Sequence, residues 1–186
     1  MDDLGFVCAW GRDKKKSWSG THYGLYSNLS KVYNIIDVDV GGKKDKVSIL
    51  ERRIAGKFRQ IFGLNDMNMA AMQRGEKIAA KTLYGKCYPI IQFDECPYDY
   101  KGKQYIYQDF SVECVKKLAI EEPEVFKISR YKDIKLDVIN KREQYQRTFY
   151  ENVDGIFTMG KWLAKDLMEN YGIAESKVFH VGGDKY

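Results

Sequence analysis

The loop Trp10–Gly24 concentrates residues able to do chemistry. It reads Trp-Gly-Arg-Asp-Lys-Lys-Lys-Ser-Trp-Ser-Gly-Thr-His-Tyr-Gly. Gly20 and Gly24 bracket Thr21 and His22 at the predicted start of a helix, and glycine lets backbone approach a ligand closely. The unpaired N–H groups and dipole of a helix N-terminus favour an anion. The spacing is not Gly-x-Gly-x-x-Gly, and no Gly-x-x-x-x-Gly-Lys-[Ser/Thr] occurs, so neither a dinucleotide fingerprint nor a P-loop is present. The loop exceeds the ~2–6 residues usual between a strand and a helix, and long ordered loops there tend to carry function. A solvated lysine loop without a ligand is the alternative. Other polar residues follow apolar runs: Asp94-Glu95, Gln108-Asp109 and Thr158–Trp162, which includes Lys161. Asp94-Glu95 reads best as a turn, His180 as a packed or edge histidine, and Trp162 as core.

The elements that must position these residues are legible in the apolar pattern. Strands are predicted at Gly5–Trp10, Asn34–Val40, Cys87–Phe93, Lys103–Gln108, Val153–Met159 and Lys177–Val181. Pro89 suits a strand edge or start. Helices are predicted over about 20–33, 69–84, 111–119, 131–151 and 161–171. A further helix follows the capping-box pair Ser48/Glu51, with an apolar stripe Leu50, Ile54, Phe58, Ile61 and Phe62 ending at Gly63. Leu136, Ile139 and Phe149 mark a narrow apolar side on the long polar helix, and Pro123 breaks the pattern before it. Strands alternating with helices predict one α/β domain over 1–186, a doubly wound, mostly parallel sheet with helices on both faces. In such a sheet ligands bind beyond the carboxyl ends of the strands, near the reversal of strand order. That rule gathers the candidates at one end of the sheet.

Composition narrows the function classes. A chain of 186 residues fits one domain. Its 44% hydrophobic and 31% charged residues exclude a wholly disordered chain. The charge, 31 basic minus 26 acidic or +5, permits an anionic ligand or membrane surface but is too small and mixed to mark a nucleic-acid binder. Two histidines and four cysteines without Cys-x-x-Cys or zinc spacing predict no metal site and read as buried reduced thiols. No run approaches the ~18–20 apolar residues of a membrane span, and the acidic start with a short apolar stretch is no secretory signal. A cytoplasmic chain is expected.

Several of these segments resemble a known family. Val153–Met159, then Trp162-Leu163-Ala164-Lys165-Asp166-Leu167, Tyr171-Gly172-Ile173, Lys177-Val178 and Val181-Gly182-Gly183, look like a stretch of retaining glycosyltransferases of the GT-B fold, the "group one" or family-four type. Trp18-Ser19-Gly20-Thr21 with Tyr26, and Tyr105–Asp109, are similar to that family's N-terminal half. The resemblance spans nearly the whole chain. It implies a Rossmann-like acceptor domain whose nucleotide-sugar domain, with its pair of glutamates, is absent from this sequence. The nucleotide sugar would then be a co-substrate needing that second domain, with no tightly bound cofactor here. Gly160 stands where a serine is common in the family, and Gln108-Asp109 where many members place a histidine.

Glycosyl transfer needs the leaving diphosphate stabilised and an acceptor hydroxyl aligned. Gly20, Thr21, His22, Gln108 and Lys161 are the candidate substrate-binding residues. Asp109 would orient the acceptor hydroxyl or accept its proton, or else serve as the N-cap of the helix that follows. In the family's retaining mechanism the departing phosphate can take that proton. The resemblance implies a glycan or lipid-linked acceptor. Arg52, Arg53, Lys57 and Arg59 read first as a solvated helix face. As the alternative they form the basic surface of a peripheral contact with the inner membrane leaflet, which that family's habits imply. An uncovered cleft face would favour self-association. The competing reading is a non-catalytic carbohydrate- or partner-binding module derived from such a domain.

Overall fold

The sheet is ordered around its first strand, β1 (Asp3–Cys8). The computed structural model describes residues 1–42, 50–51, 53–57, 66–95 and 99–182. Along these the other strands are β2 (Asn34–Asp39), β3 (Ile90–Gln92), β4 (Gln104–Gln108), β5 (Gly155–Thr158) and β6 (Val178–His180). The helices are α1 (Thr21–Leu29), α2 (Met69–Thr82), α3 (Val112–Glu121), α4 (Pro123–Ile128), α5 (Leu136–Asn152) and α6 (Lys161–Glu169), with 3-10 turns at Lys14–Gly20 and Glu175–Lys177. The strand order is β2-β1-β3-β4-β5-β6 and every pairing is parallel. The α/β doubly wound class expected from the sequence is the class observed.

The order dictates which helix covers which face. The chain steps from β1 to β2 on one side, then returns to place β3 on the other side of β1 and advances to β6. Right-handed crossovers therefore send α1 to one face and the later helices to the opposite one. The alternating side chains of β1 show the split. Phe6 and Cys8 pack with Ile91, Phe93 and the α1 residues Tyr23, Tyr26 and Leu29. Val7 packs with Val38, Ile90, Ala79 of α2 and Leu83, the C-cap of that helix. Farther along, Ile106 and Ile156 meet Phe149 and Tyr150 of α5 and Leu163 and Leu167 of α6. On the α1 face the outer strands carry a row of rings: Tyr105 against Phe157 at 5.7 Å, then Phe157 against Phe179 at 5.6 Å.

Several boundaries and burials differ from the sequence reading. The third strand shrinks from Cys87–Phe93 to Ile90–Gln92, starting just after Pro89, whose missing N–H suits a strand entry. Pro123 opens α4 rather than only breaking a pattern, because the first helical position needs no donor. The long helix begins at Leu136, not near 131, and Leu136 is 46% exposed. Its inner face instead buries Arg142, Glu143 and Gln146 beside Ile139 and Phe149, which is why the apolar side read as narrow. Residues 50–51 and 53–57 are helical, but Leu50 and Ile54 are exposed. An apolar stripe marks a face without naming what packs on it. Ser48, Arg52, Phe58, Arg59, Ile61, Phe62 and Gly63 lie outside the described residues. Trp162, expected in the core, is half exposed, because the first turn of α6 stands at the end of the sheet. Of the three described cysteines Cys8 is buried, while Cys87 is exposed and Cys114 half-buried. Cys96 lies outside the described residues.

Candidate functional site

Strand order reverses between β1 and β3, so the crevice beyond their carboxyl ends is the expected ligand position. A cavity of about 880 Å³ opens there, lined by Thr21, Asp94, Gln108, Asp109, Arg130 and Arg142 among others. A smaller one of about 390 Å³ adjoins it and is lined by Lys16, Ser17, His22, Asp94, Gln108 and Asp109. Both volumes fall in the ~300–1,000 Å³ range of small-molecule sites. Thr21, His22, Gln108 and Asp109, four of the residues singled out by sequence, are thus brought to one crevice. Gly20 and Lys161 are not in its lining. Gly20 is the N-cap of α1, with φ +91°, a left-handed conformation that favours glycine. Lys161 is the exposed first residue of α6, and its neighbour Met159 reaches the larger cavity.

The loop after β1 is held in place by its own residues. Trp10 is buried, and its indole N–H donates to Asp37 Oδ1 at 2.6 Å. Lys14 pairs with the same carboxylate and lies 5.0 Å over the Trp10 ring. Ser17 Oγ accepts the Gly11 N–H at 2.9 Å. Lys14 is tethered to β2 and Lys16 stands on the wall of the smaller cavity, while residues 11–16 remain exposed to solvent.

Two carboxylates face the crevice from adjacent strands. Asp94 follows β3, and its Oδ2 accepts the Ala9 N–H at 2.9 Å, which ties the ends of β1 and β3 together across the switch point. Burial, and then the neighbouring Glu95 and Asp39 carboxylates, push its pKa up, against the Ala9 hydrogen bond. Asp109 follows β4, and partial burial likewise raises its pKa, against a backbone hydrogen bond and the Arg130 charge. Asp109 is not the N-cap of α3. That role belongs to Ser111, whose Oγ accepts the Cys114 N–H at 3.3 Å. The Asp109 carboxylate is therefore not spent on helix capping.

Beneath these residues lies a buried polar floor. Glu95, at the bend that follows β3, is 3% exposed and pairs with the buried Arg142 of α5. Glu95 Oε1 accepts from Gln146 Nε2 at 2.5 Å and Gln108 Nε2 at 3.3 Å, and Tyr150 OH lies 3.5 Å away. Gln146 Oε1 accepts the Val112 N–H at 2.8 Å and the Tyr171 hydroxyl at 2.5 Å. Gln108 thus spends its amide on Glu95 while still bordering both cavities, so its first task is to connect β4 to the floor. One wall is strained: Met67 and Asn68 both have positive φ, 48° and 67°, and both line the larger cavity. Left-handed backbone at a non-glycine residue costs on the order of 1 kcal/mol or more and concentrates at functional sites.

Sequence reasoning gathered Asp94 with the candidates at this end of the sheet but favoured a turn for it, and it missed Arg142 and the Met67-Asn68 turn as cavity residues. For Asp94 the signal was available, since it directly follows a strand, but only the strand order reveals that this strand borders β1. Arg142 carried no signal, because a charged residue on a polar helix reads as solvated. His180 lies on the edge strand β6, as expected. Among the described residues no cluster of His, Cys, Asp and Glu is arranged to hold a metal ion, and no helix is long and apolar enough to cross a membrane. Compared with known proteins, the chain matches no family model and no curated protein.

Proposed function

We propose that this chain is the acceptor-side half of a retaining glycosyltransferase, moving a sugar from a nucleotide-sugar donor to a glycan or lipid-linked acceptor. The observation that carries the reading is the crevice at the β1/β3 switch point, which Asp94 and Asp109 line together with Thr21 and His22. Ionised carboxylates accept hydrogen bonds from hydroxyl groups, and a crevice lined by both carboxylates and donor side chains suits a polyhydroxyl ligand. The sequence resemblance of Val153–Gly183 and Tyr105–Asp109 to the GT-B family supplies the reaction class. In this reading Asp109 orients the acceptor hydroxyl, and the departing phosphate of the donor can receive its proton. A second α/β domain, from further chain or another polypeptide, would hold the nucleotide.

The test is saturation-transfer NMR of the chain against a panel of mono- and oligosaccharides, with Asp109→Ala as the comparison. Saturation transfer to at least one saccharide, weakened at least tenfold in affinity by Asp109→Ala, is expected. A panel with no binder, or binding indifferent to the substitution, would remove the glycan reading. The chain alone is expected to transfer no sugar from nucleotide-sugar donors, and measurable transfer would contradict the half-site assignment. Flotation with vesicles containing anionic lipid at low salt tests the lipid-linked branch: absence of binding restricts the acceptor to soluble glycans.

A further inference from the structure

The Cys8 thiol, at the carboxyl end of β1, lies 3.2 Å from Nδ1 of His22 in the first turn of α1. Both are buried, Cys8 completely and His22 with 9% exposure. The imidazole packs against Phe93 with ring centroids 4.4 Å apart, and the residue borders the smaller cavity together with Asp94, Gln108 and Asp109. A neutral histidine has one donor and one acceptor nitrogen, and the hydrogen bond at one nitrogen settles the state of the other. An S–H group is a weak donor and a poor acceptor, so the stable arrangement for a thiol facing a ring nitrogen is S–H to a lone pair.

We propose that Cys8 is a positioning residue for His22, donating its S–H to Nδ1 and so holding the ring as the Nε2–H tautomer, which makes His22 an uncharged hydrogen-bond donor toward a ligand oxygen. The alternative, a thiolate–imidazolium pair, would place two charges where Cys8 is completely buried, and such charges are costly to desolvate. Burial lowers the His22 pKa to about 4, in keeping with a neutral ring. His22 is then not a general base: its basic lone pair is occupied by the thiol, and its other nitrogen carries a proton. The ligand group it suits is an oxygen with a free lone pair, such as a hydroxyl, carbonyl or phosphoryl oxygen. The inference concerns the ring's tautomer and holds whichever ligand fills the crevice, so it stands or falls separately from the glycan reading.

Long-range ¹H–¹⁵N correlation spectra of the ¹⁵N-labelled chain at pH 7.5 test it. The chain has two histidines, and His180→Gln assigns the remaining signals to His22. The expected pattern is a pyrrole-type Nε2 and a pyridine-type, hydrogen-bonded Nδ1. In Cys8→Ala the Nδ1 signal should move to the value of a non-bonded nitrogen, with the Nδ1–H tautomer becoming populated. Cys8→Ser, which keeps a donor of similar shape, should preserve the wild-type pattern and also serves if the alanine variant folds poorly. An Nδ1–H ring or a doubly protonated ring in the wild type overturns the proposal. So does a His22 pattern unchanged in a folded Cys8→Ala, or a folded Cys8→Ser that loses the wild-type pattern.

Discussion

Asp109 and Ser111 sit two residues apart and do different work, which can be separated by measurement. Ser111 caps α3, so Ser111→Ala should cost about 1 kcal/mol of stability in urea unfolding. Asp109→Ala, at an exposed position, should change stability by no more than about 0.5 kcal/mol, so any loss of ligand binding in it reports the crevice rather than the fold. If Asp109→Ala costs as much as Ser111→Ala, the two roles have not been separated. His22 gives a second residue-scale prediction. In the unfolded chain its ring gains a proton as pH falls through about 6.5, but in the folded chain only near 4. Between those values the unfolded state holds more protons, so the contribution is whole above pH 6.5 and is lost as pH falls toward 4. Asp94 and Asp109, whose pKa values are raised, act in the opposite direction, because there the folded state holds more protons. The His22 component is therefore read as a difference: urea midpoints should fall more between pH 7 and pH 5 in the wild type than in His22→Gln. Parallel profiles would show that the ring titrates normally.

At the scale of elements, α5 is joined to the sheet by charge as well as by apolar contact. Arg142 reaches Glu95 at the end of β3, while Gln146, one turn on, links the same carboxylate to the first turn of α3. A buried pair of this kind contributes little beyond a well-packed apolar pair, but removing one member strands the other. Arg142→Met should destabilise by about 3–5 kcal/mol. The double variant Glu95→Gln with Arg142→Met should recover a substantial part of that loss. Equal unfolding midpoints for the single and double variants would show that the penalty comes from lost packing rather than from a stranded carboxylate. The connection from β3 to β4 holds a tighter constraint. A Cβ on Gly102 would lie 2.6 Å from the Cys87 carbonyl oxygen and 2.7 Å from that of Tyr88. Backbone must move to admit it, so Gly102→Ala should cost about 1–3 kcal/mol, measurable as a lowered Tm.

For the whole molecule, the consequence of the β2-β1-β3-β4-β5-β6 order is an unequal covering of the sheet. α2, α5 and α6 pack on one face, and α1 with the loop before it packs on the other near β1 and β3. The apolar core under α5 and α6 is where single truncations should be felt most. Ile156 has no exposed surface between β4 and β6, and Ile156→Ala should cost about 2–5 kcal/mol in a cooperative urea transition. A loss below about 1 kcal/mol would mean that β5 is not part of the cooperative core. On the α1 face the ring row from Tyr105 to Phe179 is less covered, and Phe179 is 42% exposed. The same arrangement creates the crevice, since α1 and the later helices part where the strand order reverses.

The alternation of apolar runs was enough to establish the strands, the helices between them and the parallel α/β class, because each pattern follows from local periodicity and burial on one face. Gly20 at the start of the first helix and Gly172 in the Tyr-Gly-Ile stretch were equally local, and both adopt positive φ. Thr21, His22, Gln108 and Asp109 could be placed at one crevice because a parallel sheet brings all its carboxyl ends to one side. Strand order, by contrast, depends on contacts between segments far apart in the chain, so the adjacency of β3 to β1, and with it the place of Asp94, emerged only in three dimensions. The same holds for Glu95 with Arg142 and for Cys8 with His22. A charged or polar side chain looks solvated in a sequence, and only its partner, 47 residues away in one case and 14 in the other, turns it into part of a buried site.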